Sequence, residues 1–167
     1  MSEESREQKI GRQLRDMVID WADRLATHES TDAEVKHEMV QWVNLSENRL
    51  WCVAVSAAGC LKEMMQRTVT ARTGLLVAEK GSWFIKSLGA AGQRNDRDGI
   101  AAVQTAIAMC NRDPEMAHDI LTAHERVCGS RGLFGVALAA TDAVAGMLEL
   151  GVWVEPAEEG PDGLWMP

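Results

Sequence analysis

GLFGVALAATDAVAGML, residues 132–148, holds one charged side chain, Asp142, in seventeen positions. Five of its residues are Ala, the best helix former, and no proline interrupts it. The stretch reads as a helix that is apolar nearly all round, and such a helix belongs in the middle of a bundle. A second stretch, LWCVAVSAAGCL at residues 50–61, holds no charge at all. It reads the same way, with a polar face only further on at Lys62, Glu63, Gln66 and Arg67. Twelve uncharged residues are too few to span a membrane.

The remaining periodicity supplies helices to surround these two. Ile10, Leu14, Met17, Trp21 and Leu25 recur at spacings of four, three, four and four, one stripe of a helix from about Ser5 to Thr27. His28 would extend that stripe if the helix lasted. Ser30, Thr31 and Asp32 offer N-caps for a short helix over about 33–43, with Val35, Met39, Trp42 and Val43 on its apolar side. Ser46 is placed to cap the first oily helix, with Leu45 and Leu50 as a hydrophobic staple. From 72 to 98 the pattern is weak. A short helix after Gly81 and a loop over 93–97 are the readings there. Asp98 then caps a helix to about Asn111. Asp113-Pro114-Glu115 is a cap, a proline at the first helical position and an acid in the first turn, opening a helix that stops at Gly129. Ser130 caps the last helix. These elements predict an all-α, single-domain, bundle-like array of about six helices over residues 1–151, with the two apolar helices central. A Pro- and Trp-containing acidic tail follows at 152–167.

Composition limits the function classes. The chain has 167 residues, of which 17 are Lys or Arg and 25 are Asp or Glu, a formal charge of -8. That balance repels polyanions, so nucleic acid is not an expected partner, nor is a membrane. The first residues lack the apolar run of a secretory signal. Cys52, Cys60, Cys110 and Cys128 form no Cys-x-x-Cys pair and sit in apolar sequence, which suits free buried thiols in the cytoplasm. No phosphate loop, dinucleotide fingerprint or nucleophile elbow is present, and no cofactor is implied.

Four groups of residues are candidate sites. Glu34 with His37 and Glu115 with His118 share the Glu-x-x-His spacing of di-metal bundles. Both pairs fall opposite the apolar faces of their helices, however, and no metal is expected. His124 falls beside Ile120, Leu121, Val127 and Cys128 on the buried side, one helical turn from Cys128. Asp142 needs a partner or a proton inside its oily helix, and His124, His28 or an Arg is the expected partner. Together His124, Cys128 and Asp142 are the weak catalytic candidates. Ser130 and Arg131, at a helix start, are weak ligand-binding candidates for an anion. Gly135, Ala139 and Ala143 make a ridge of small residues that permits close helix approach, within the chain or between subunits. Trp153 and Trp165 suit anchoring at an interface.

Two function classes follow. The leading expectation is a non-catalytic, homo-oligomeric interaction or regulatory protein that binds itself or another protein. The alternative is a small-molecule-binding protein or enzyme with a pocket near His124, Cys128 and Asp142.

Overall fold

A computed structural model describes residues 5–44, 49–73 and 96–149. Among these the chain forms six α-helices and no strand: α1 (Arg6–Ala26), α2 (Asp32–Asn44), α3 (Arg49–Thr73), α4 (Arg97–Cys110), α5 (Pro114–Cys128) and α6 (Ser130–Glu149). The protein is all-α, a bundle-like array as its periodicity predicts. The Ser46 cap, the Leu45 staple, the short helix after Gly81 and the tail with Trp153 and Trp165 lie outside the described residues.

Local chemistry sets the helix ends. The Ser5 hydroxyl accepts from the Gln8 N–H and the Gln8 side chain accepts from the Ser5 N–H, a capping box that starts α1. Thr31 and Glu34 do the same for α2: the Glu34 N–H donates to Thr31 Oγ1 at 3.3 Å and the Thr31 N–H to Glu34 Oε2 at 2.7 Å. Asp113 accepts from the Met116 N–H, and Pro114 opens α5.

Two expected caps are corrected. Asp96, not Asp98, caps α4, accepting from the Gly99 N–H at 3.0 Å. Asp98 is therefore a first-turn residue whose carboxylate is available elsewhere. Ser130 is already helical, and Gly129, with φ 68°, is the single non-helical residue between α5 and α6. Left-handed φ costs glycine nothing, so the chain reverses there without a longer loop. α1 ends at Ala26, so His28 does not extend its stripe. His28 takes φ 59° and lies exposed.

α6 packs on all five other helices, and most extensively on α3. By length and composition alone it could cross a bilayer. Its inward face, Leu133, Val136, Ala137, Ala140 and Val144, meets Val53, Ala54, Ala57, Leu61 and Met64 of α3 in one core. Alanines at the crossing let the backbones approach closely. Neither helix is enclosed on every side: Trp51, Cys52 and Val55 of α3 and Phe134, Leu138 and Ala139 of α6 are half-buried. Thr105 and Thr141 are fully buried and satisfied, each hydroxyl donating to the carbonyl four residues back at 2.7 Å. All four cysteines are free. Burial pushes the Cys60 thiol up to about 12 and the Cys110 thiol up to about 11, which keeps both protonated and unreactive.

α5 departs from its predicted face. Its buried residues are Ala117 and Leu121, whereas Val127 is 72% exposed and Met116 51%. Ala117, Leu121, His124 and Cys128 form one stripe and Met116, Ile120, Ala123 and Val127 the next. The bundle selects the first, whose smaller Ala and Cys let α5 sit close to α4 and α6.

Polar ties fix α1 against its neighbours. The Arg15 guanidinium donates to Glu63 of α3 at 2.9 Å. Glu38 of α2 accepts from Trp21 Nε1 at 2.9 Å and from Arg24 at 2.8 Å. The Arg24 bonds, with a smaller part from Trp21, hold the Glu38 carboxyl below its ordinary range. Its contribution is therefore present above that ordinary range and is lost as pH falls through the lowered value. Because Trp21 is 2% exposed, Glu38→Ala leaves a buried donor unpaired, and a loss of about 1–3 kcal/mol is expected at pH 7. Urea titrations at pH 7 and pH 3 check this: the gap between the variant and the parent should narrow in acid.

Candidate functional site

α4, α5 and α6 meet around a histidine–aspartate pair. His124 Nε2 lies 2.7 Å from Asp98 Oδ1, with the imidazole 9% exposed and the carboxylate 41%. Two glycines of α6 make room. A Cβ at Gly135 would overlap the Asp98 carboxylate, and a Cβ at Gly132 would fall 2.7 Å from the Cys128 Cβ and 3.0 Å from the His124 ring. The pair thus sits in a cradle of missing side chains. Cys128 lies beside His124, but no hydrogen bond joins them among the described residues.

Asp98 opens on a groove of about 1050 Å³ that no helix covers among the described residues. One wall is a continuous face of α6, carrying Phe134, Gly135, Leu138, Ala139, Asp142 and Ala143. The other is the start of α4, with Gly99, Ala102 and Val103. Leu61 of α3 lines it from below, and Asp96, Lys36 and Arg131 add charge at its edges. The small-residue ridge of Gly135, Ala139 and Ala143 is therefore groove wall, not a covered helix contact, among the described residues. Arg131 and Ser130 are both exposed, and Arg131 lies at this groove and not in a closed anion pocket.

The three residues expected to share one pocket are divided. His124 pairs with Asp98. Asp142 instead meets Asp32 of α2, and the two line a smaller hollow of about 360 Å³ with His28, Ser30 and Glu149. Burial, then the hydrogen bond and charge of Asp32, push the Asp142 carboxyl up to about 7. Neither His124, His28 nor an arginine reaches it. Asp98 is the partner that the sequence did not reveal. The available signal was a buried histidine in need of an acceptor, together with two glycines three apart on a facing helix.

The Glu-x-x-His residues do not converge. Glu34 is spent on the Thr31 capping box, and His37 is exposed and bonded to Gln41 at 3.0 Å. Glu115 is exposed, and the His118 ring lies tilted at 5.2 Å from Trp51. Among the described residues no three His, Cys, Asp or Glu side chains are placed to hold a metal ion. No protein-family model, curated protein or solved structure matches this chain.

Proposed function

We propose that this protein is a non-catalytic interaction protein that pairs with a second copy of itself through the groove face of α6. The observation that carries the reading is the Ala139–Ala143 stretch of α6, which borders the groove and is not covered by another helix among the described residues, while Gly135 beside it lies under the Asp98 carboxylate. In an antiparallel crossing centred on Ala139, Ala139 meets Ala139, as a twofold, isologous interface requires. Small residues let two helices approach closely, and the half-buried Phe134 and Leu138 supply apolar area beside the ridge. The groove carries both signs, Lys36 and Arg131 against Asp96, Asp98 and Asp142, so it can complement its own copy despite the acidic chain.

Ala139→Trp places a large side chain on the groove side of α6, at a half-buried position beside the fully buried face of Val136, Ala137 and Ala140. Sedimentation equilibrium should show a dimer for the parent and a monomer for this variant, with unchanged far-UV circular dichroism. A monomeric parent at high micromolar concentration overturns the reading.

A second reading rests on the His124–Asp98 pair, which offers an oriented carboxylate to a small cationic or hydrogen-bond-donating ligand. It requires the groove to stay open in solution, so the same sedimentation experiment separates the two.

A further inference from the structure

Asp32 and Asp142 come from different helices and meet in one hollow. No salt bridge reaches either carboxyl among the described residues, because Arg24 is committed to Glu38 and Asp20. Two carboxylates in contact cannot both ionise without repulsion. The groups facing them are few. Lys36 of α2, Arg131 of the α6 start, and Asp98 and Asp96 of the α4 start share the groove with Asp142. His28, before α2, and Glu149 of α6 lie in the smaller hollow, 3.6 Å from one another.

α2 has two unequal points of attachment. Its middle is anchored firmly, with Val35 and Met39 fully buried and Glu38 tied to Trp21 and Arg24. Its first turn is exposed and follows a connection in which His28 takes a left-handed φ of 59°. Among the described residues, the side-chain contact that joins this turn to α6 is that of Asp32 with Asp142, across the hollow both line.

We propose that the Asp32–Asp142 pair is a proton-controlled latch, which holds the first turn of α2 against α6 while one proton is shared and frees it when both carboxyls are ionised. In the closed state the Asp142 hydroxyl donates and the Asp32 carboxylate accepts. The rest of α2 stays seated, so what opens is the segment from His28 to Glu34 that walls the smaller hollow. The sign follows from the direction of the shift. A carboxyl raised from 3.8 to about 7 contributes fully on the acid side, and its contribution is lost as pH rises through about 7.

The test is hydrogen exchange of the full chain from pH 5.5 to 8.5, corrected for the intrinsic rate of each amide. Protection of the Glu34 and Val35 amides should fall by about tenfold per pH unit below a midpoint near 7 and level off above it, while the Met39 and Val40 amides keep theirs. Asp142→Asn should hold the turn closed at every pH. Asp32→Asn, at an exposed position, supplies the same comparison if the first variant folds poorly. His28→Gln should leave the midpoint in place. A midpoint that survives in both asparagine variants, or one that vanishes in His28→Gln, overturns the latch. So does a parent profile that is flat across the range.

Discussion

Leu121→Ala is expected to destabilise the protein by about 2–5 kcal/mol, while Val127→Ala changes stability by no more than about 0.5 kcal/mol. Leu121 is 1% exposed and belongs to the main core, whereas Val127 is 72% exposed. Removing a fully buried isobutyl group loses its transfer free energy and leaves a cavity between α5 and its neighbours, which the Ala-rich walls cannot refill. Both residues are apolar and lie six positions apart on one helix, so propensity does not separate them. Urea midpoints for the two variants do. Equal losses would mean that α5 presents both stripes to the interior.

The second large effect is expected at the glycine cradle. In Gly132→Ala the new methyl meets the Cys128 Cβ, which is one bond from the backbone and cannot rotate away. α5 must shift against α6, at about 1–3 kcal/mol. Gly135→Ala acts differently. Its methyl displaces the Asp98 carboxylate, a side chain that can turn outward, and the cost is the acceptor lost by a largely buried His124, again about 1–3 kcal/mol. A double-mutant cycle distinguishes the two mechanisms. Gly135→Ala should cost little once Asp98→Ala is present, and Gly132→Ala should cost the same with or without it. Additive behaviour at Gly135 would dissociate that glycine from the His124–Asp98 pair.

These two sites also mark where local pattern stops being informative. The Asp113-Pro114 start, the Gly129 stop and the Ser5 and Thr31 starts depend on groups within three or four residues, so adjacent sequence specifies them. The face of α5 does not. Two apolar stripes lie side by side on it, and the bulkier one, with Met116 and Val127, is the one left outside. A helical wheel weighs size and hydropathy, while the bundle selects what fits close to α4 and α6. Here that is Ala117, His124 and Cys128 around Leu121, with Ile120 of the other stripe half-buried at the edge.

The same distinction applies to the ionisable residues. Asp98 reads locally as a cap, because aspartate before an apolar helix usually is one. Asp96 takes that role two positions earlier, and the freed carboxylate is used twenty-six residues along the chain. Asp142 reads correctly as a carboxyl that must pair or keep a proton, yet its partner is another carboxyl, a choice that desolvation alone does not disclose.

The order of residues by itself determined that the chain is helical, where most helices begin and end, and that α3 and α6 carry the oily faces, because hydrogen bonding, capping and amphipathic spacing act over a few residues. Only the tertiary structure decided that His124 faces Asp98, that Asp142 faces Asp32 and that the Gly135–Ala139–Ala143 ridge borders a groove. Those pairings join helices distant in sequence, and they are set by how close the small side chains of α4, α5 and α6 allow three backbones to come.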